Sequence, residues 1–193
     1  MRILLLYSHP VETSFNASLH EAVLRTLRAS GHEVDDCDLY AEGFQPALTR
    51  QERIDYHDPD RNQAHVADYV RRLQQAEALV LCYPVWNFGF PAMLKGFLDR
   101  VFLPGVSFRM EDGKVVPSLH NIKKMAAITH YGGTRVRAFL AGDPPRKSVK
   151  RVLRAVIKPL APVTYLALYD MNRATDSDRE AFLKKVEARM ARF

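Results

Sequence analysis

The stretch Ile3-Leu4-Leu5-Leu6-Tyr7-Ser8-His9-Pro10-Val11-Glu12-Thr13-Ser14-Phe15-Asn16 decides the fold. Its first five residues are apolar and read as a buried strand. A loop dense in hydroxyl and amide groups follows, and it runs straight into a helix pattern. In an α/β protein, that order holds a phosphorylated cofactor, because free N–H groups and the helix dipole at an N-terminus favour an anion. The glycines of the dinucleotide fingerprint are absent. Hydroxyl and amide side chains must therefore assist the backbone, which points away from the Rossmann dehydrogenases.

Working outward, apolar runs predict strands over residues 2–7, 33–39, 78–83, 124–130 and 162–169. The run Ala78-Leu79-Val80-Leu81-Cys82-Tyr83 is unbroken, as suits a strand covered on both faces. Helix patterns fall between them. Phe15, Leu19, Ala22, Val23 and Leu27 recur at helical spacing over 15–30, with Gly31 as terminator. Residues 63–76, 91–103, 143–158 and 176–191 complete the set, the last behind a cap region Thr175-Asp176-Ser177-Asp178. Alternation of this kind predicts one domain over 1–193, a three-layer sandwich with a five-stranded parallel sheet in 2-1-3-4-5 order. The switch point of that order lies between the first and third strands, so loops 8–16 and 84–90 should meet there.

The second loop, Pro84-Val85-Trp86-Asn87-Phe88-Gly89-Phe90-Pro91, holds the only tryptophan and two phenylalanines. Large aromatics at the carboxyl end of a sheet cost exposure unless something flat covers them, and an isoalloxazine ring is flat. Packing beneath a neighbouring loop or a partner subunit is the plainer alternative. The third loop, Thr129-His130-Tyr131-Gly132-Gly133-Thr134, pairs two glycines that admit a close backbone approach with side chains able to donate hydrogen bonds. An ordinary Gly-Gly turn is the alternative there.

Thr13-Ser14-Phe15-Asn16 after His9, then Phe88-Gly89, Pro91, Leu94-Lys95-Gly96 and Arg100-Val101-Phe102, resemble the NAD(P)H:quinone oxidoreductase family of the DT-diaphorase type, a flavodoxin-like group. The resemblance runs from Met1 to about Gly133. It implies a non-covalent flavin, with His9, Thr13, Ser14, Phe15 and Asn16 around the phosphates and Ser18 beside them. It further implies Pro84, Val85, Trp86, Asn87 and Phe88 along the ring, and Thr129, Gly132 and Gly133 at its pyrimidine edge. FAD is the implied cofactor, with FMN as the alternative. NAD(P)H would be the electron donor and a quinone-like acceptor would be reduced by two electrons in a ping-pong cycle. A homodimer is implied as well. Three departures stand out. The family commonly reads Thr-Thr-Gly-Gly where this chain has the longer Thr129-His130-Tyr131-Gly132-Gly133. The family's Tyr and His beyond the glycines have no match in Thr134-Arg135-Val136-Arg137-Ala138, which leaves His130 and Tyr131 as candidate catalytic stand-ins. Trp86-Asn87 replaces a common Gln-Trp.

Composition narrows the remainder. At 47% hydrophobic and 26% charged residues the chain is globular, not disordered. Arg2 and a short apolar run before Ser8 are too little for a signal peptide or a membrane span. Cys37 and Cys82 fall in strands and are expected as buried free thiols, which suits a cytoplasmic location. The net charge of +6 raises nucleic acid as a partner, but no recognition motif accompanies it, and a surface that attracts phosphorylated cofactors explains it equally. His20-Glu21 and His32-Glu33 lack a second histidine at zinc spacing, so no metal site is expected. A phosphatase-like sheet needs Arg six positions after its Cys, where Gly43 and Phe88 stand. Lys147, Lys150, Arg151, Arg154 and Lys158 form a basic stripe. It reads as the solvated face of a sheet-covering helix, or more sharply as a contact for an NADPH 2′-phosphate or anionic lipid heads. Rival readings of the whole are a flavin-bound subunit docking on a channel or enzyme, an azo or nitro reductase, and a scaffold without cofactor.

Overall fold

The computed structural model describes residues 1–193. Five strands, β1 (Arg2–Tyr7), β2 (Glu33–Asp38), β3 (Ala78–Val85), β6 (Lys124–Tyr131) and β7 (Val163–Leu168), form a parallel sheet in the order β2-β1-β3-β6-β7. Counting only these five, the order is the expected 2-1-3-4-5. The hairpin β4 (Phe108–Glu111) and β5 (Lys114–Pro117) stands apart from it.

Side-chain alternation along the strands builds two cores. Ile3, Leu5 and Tyr7 of β1 and Ala78, Val80 and Cys82 of β3 pack toward α1 (Phe15–Ala29) and α8 (Asp176–Met190). Leu4, Leu6, Leu79, Leu81 and Tyr83 face the other layer, with α3 (Ala67–Gln75) and α4 (Ala92–Val101). All eight residues of β3 are buried, as expected for the central strand of a doubly covered sheet. Cys37 and Cys82 are free and buried, and burial pushes both thiols up, away from reactive thiolate.

Helix α1 begins at Ser14, whose hydroxyl accepts from the Ala17 N–H at 3.1 Å. It ends where Gly31 takes φ +77° and the His32 N–H closes on the Leu27 carbonyl, the arrangement that spares a Cβ. Gly96 of α4 has a different reason. A Cβ there would overlap the Pro46 backbone, so glycine lets the β2–α3 crossover lie directly on the helix. The same crossover holds α2 (Arg50–Asp55), capped reciprocally by Thr49 and Glu52. Glu52 then accepts from Arg100 at 2.5 and 2.8 Å, and both side chains are buried.

Several expectations need correction. The second helix starts at Ala67, not at residue 63, because the chain turns through 58–66 first. The span 143–158 is not one regular helix. It splits into α6 (Pro144–Lys147), a wide π-helical segment Ser148–Leu153 and α7 (Arg154–Val156). A short helix α5 (Arg135–Leu140), the helix α2 and the β4–β5 hairpin were not expected at all. Strand β6 runs one residue further than expected, to Tyr131, which pairs with Val85. The extra residue of the third loop is thereby absorbed into the sheet. No helix is long and apolar enough to cross a membrane.

Candidate functional site

The three loops converge at the carboxyl edge of the sheet, as the switch-point rule requires. The His9 ring lies 5.7 Å from Trp86, joining the first loop to the second. Phe15 lies 5.9 Å from His130, joining the first to the third. A cavity of about 320 Å³ is walled by Val85, Asn87, Phe88, Tyr131, Gly132 and Gly133, all expected from the sequence. Arg137 and Asn172 complete it, and neither was expected. Arg137 comes from α5 and Asn172 from the loop after β7. The latter loop is docked by Asp170 N–H donating to the Gly133 carbonyl at 2.8 Å and Met171 N–H to that of Tyr131 at 2.9 Å. Asn172 carried no local signal, since its place depends on that docking.

The second loop is a two-residue turn held by reciprocal Trp86–Gly89 backbone hydrogen bonds. Its central residues Asn87 and Phe88 have φ +48° and +54°. Asn tolerates that region, whereas a bulky Phe is strained in it. Trp86 and Phe88 stand outward on this turn, 41% and 37% exposed. Across the cavity, a Cβ on Gly132 would come within 3.2 Å of the Asn172 amide, and one on Gly133 would reach the Phe88 ring at 4.0 Å. Glycines keep this wall flat.

Beneath the loops lies a set of buried polar atoms without protein partners: Ser8 Oγ, both amide atoms of Asn16, Thr129 Oγ1 and His130 Nε2. Ser8, Asn16 and Thr129 are completely buried. An unsatisfied buried polar group costs on the order of 1–3 kcal/mol, so five at one sheet edge mark a place where an outside molecule supplies partners. These donors and acceptors fit a cofactor with a phosphate and a carbonyl-rich edge. Thr13 is exposed on the approach to α1, Ser18 is exposed in its first turn, and Ser14 is engaged as its cap. The His9 Nδ1 lies within hydrogen-bond distance of both the Val11 N–H, at 3.1 Å, and the Val11 carbonyl, at 3.2 Å, which ties the ring to its own loop.

The two candidate catalytic residues sit differently from what a charge-stabilising pair requires. Burial, and then the nearby His9, lower the pKa of His130 to about 4. It is neutral near pH 7 and supplies no positive charge. Tyr131 is buried, its hydroxyl donating to Asp143 at 2.6 Å and sharing a 2.6 Å hydrogen bond with Tyr165. Burial pushes its pKa up, so its ring walls the cavity while its hydroxyl is engaged behind it. No three His, Cys, Asp or Glu side chains converge as a metal site.

A family model described as the flavodoxin-like fold matches residues 1–192. The chain belongs to this flavodoxin-like family. Within it, the chain is 32% identical over 117 residues to an uncharacterized NAD(P)H oxidoreductase of Escherichia coli, covering 60% of this chain and 59% of the relative. It is 28% identical over 147 residues to NAD(P)H dehydrogenase [quinone] 1 of Rattus norvegicus, covering 68% of this chain and 54% of the relative. These matches thus span between half and two thirds of the relatives' own length. Among solved structures, the NAD(P)H:quinone oxidoreductase from Methanothermobacter marburgensis superposes with a TM-score of 0.83 at 25% identity, over 99% of this chain and 98% of that one.

Proposed function

We propose that this flavodoxin-like chain is a flavoprotein that oxidises NAD(P)H and reduces a quinone-like acceptor. The observation that carries the reading is the set of unpartnered buried polar atoms on Ser8, Asn16, Thr129 and His130, at the same carboxyl edge of the sheet as a cavity walled by Phe88, Gly132 and Gly133. The similarity to enzymes named for NAD(P)H and quinone supports the donor and acceptor classes.

In this reading Thr13 and Ser14 stand with Asn16 at the phosphate end. Trp86 and Phe88 cover one face of the ring, while Thr129 Oγ1 and the Gly132 and Gly133 backbone meet its polar edge. The flavin, once bound, would supply two-electron chemistry, taking a hydride from one nucleotide and passing the pair to an acceptor at the same face in ping-pong order. Neutral His130 donates or accepts one hydrogen bond without adding charge. Tyr131 acts as a positioning residue that ties the cavity wall to Asp143 and Tyr165. FAD is favoured over FMN, because the first loop resembles FAD-binding relatives. The domain spans 1–193 and works as a cytoplasmic homodimer, a state that size-exclusion chromatography with light scattering tests directly.

The deciding experiment is a visible spectrum of the purified protein, then acid release and chromatography of the chromophore. Flavin bands near about 370 and 450 nm are expected, and the released molecule separates FAD from FMN. A colourless protein that stays colourless with either flavin overturns the reading.

A further inference from the structure

A second cleft, of about 380 Å³, opens behind the cavity just described. Arg135, Arg146, Lys147, Lys150 and Arg151 line it, against the single carboxylate of Asp143. None of these five cations makes an ion pair within the protein, although fourteen such pairs occur elsewhere in it. The gathering is built by the backbone. Gly142 at φ +82° and Asp143 at φ +46° turn the chain sharply between α5 and α6, with the Asp143 N–H closing on the Ala138 carbonyl at 2.8 Å. That corner sets Arg135 opposite Arg146 and Lys147. The π-helical segment then presents Lys150 and Arg151, and wide turns of this kind recur at functional sites. Arg154 and Lys158 of the stripe do not line the cleft.

The cleft and the cavity share a wall one side chain thick. Tyr131 lines the cavity, its hydroxyl bonds to Asp143, and its ring stacks on Tyr169 with centroids 4.6 Å apart. Both Asp143 and Tyr169 line the cleft. The cleft is thus the neighbouring site for the far end of a dinucleotide whose nicotinamide end lies in the cavity. Phe139, 77% exposed on the cleft's margin, offers a flat apolar face to a base. Unpaired guanidinium and ammonium groups in a concave site suit a phosphate dianion. We infer that the cleft holds the adenosine 2′-phosphate of NADPH and so selects NADPH over NADH. The inference rests on the nicotinamide-nucleotide part of the reading above.

The test is calorimetric titration of the full chain with 2′,5′-ADP, 5′-AMP and inorganic phosphate, which needs no flavin and no turnover. The expected result is 2′,5′-ADP binding roughly tenfold or more tighter than 5′-AMP, with inorganic phosphate a weak competitor. Lys150→Gln with Arg151→Gln should erase that preference, while the charge-keeping pair Lys150→Arg with Arg151→Lys should retain it. A thermal melt of each variant checks folding. Equal binding of the two nucleotides overturns the inference, as does a preference that survives the Gln pair. Inorganic phosphate competing as well as 2′,5′-ADP overturns it too. Co-sedimentation with phosphatidylserine vesicles that depends on Lys150 and Arg151, without nucleotide preference, overturns it in favour of a membrane face. A yellow protein without the preference refutes this inference alone, and a colourless one that keeps it refutes the flavoprotein reading alone.

Discussion

Phe88 pits local stability against function at a single residue. Its φ of +54° suits glycine, and strain of this kind costs on the order of 1–3 kcal/mol. Phe88→Gly is therefore expected to hold or raise the melting temperature of the flavin-free protein while, on the proposed function, weakening flavin affinity several-fold through loss of the ring cover. Thermal melts and flavin titration read the two effects separately, and a variant that binds flavin normally removes Phe88 from the site. His130 makes a prediction in pH. Its folded pKa, about 4, lies below the ordinary value of 6.5 for an unfolded chain. The unfolded state thus takes up a proton first as the solution is acidified. Stability from this group is full above about pH 6.5 and is lost as pH falls toward 4. The shift corresponds to at most ~3.5 kcal/mol. Over that window the wild type should lose more stability than His130→Gln, measured by urea unfolding at each pH. Parallel curves would show that His130 is not buried as described.

Helix α4 shows what a recognisable sequence pattern means in the folded element. Leu94-Lys95-Gly96 and Arg100-Val101-Phe102 carry the family resemblance, yet Gly96 and Arg100 face the crossover, not the cavity. Gly96→Ala forces the Pro46 backbone away and should destabilise by about 1–3 kcal/mol. Glu52→Ala leaves the Arg100 guanidinium buried without its carboxylate and should cost about 3–5 kcal/mol. Chemical denaturation checks both, and values near zero would mean the crossover is not anchored there. The elements the sequence left unread are short, and their reasons differ. Helix α2 had a visible signal, the capping box Thr49-Arg50-Gln51-Glu52, but too few turns to show apolar periodicity. The β4–β5 hairpin had its Asp112-Gly113 turn, at φ +49° and +74°, between strands of four largely exposed residues. The split of 143–158 left no trace, because hydrophobic spacing does not distinguish a wide turn from a regular one at this length. The long buried strands were legible because burial on both faces writes an unbroken apolar run.

At the scale of the whole molecule, the sheet order brings together residues that are far apart in the chain: Ser8 and Asn16, Trp86 and Phe88, Thr129 and His130. Loop chemistry plus one topological rule made that meeting legible. Arg137 and Asn172 were not, since Arg137 sits on the short helix α5 and Asn172 reaches the cavity only after the loop after β7 docks on the third. Convergence carries an energetic consequence. Buried polar atoms left without partners lower the stability of the flavin-free chain, and a ligand that binds only the folded state adds RT ln(1 + [L]/Kd). Flavin at a hundredfold excess over its Kd should stabilise by about 2.7 kcal/mol. For a chain of this size, each kcal/mol moves the melting temperature by about 2–4 °C, so the shift should be roughly 5–10 °C. Asn16→Ala removes two of the unpartnered atoms. It should therefore narrow the gap between flavin-free and flavin-loaded melts, raising the first and lowering the second. An equal gap in wild type and variant would place the flavin phosphates away from the start of α1, and a wild type indifferent to saturating flavin would leave the polar edge of this sheet to another ligand.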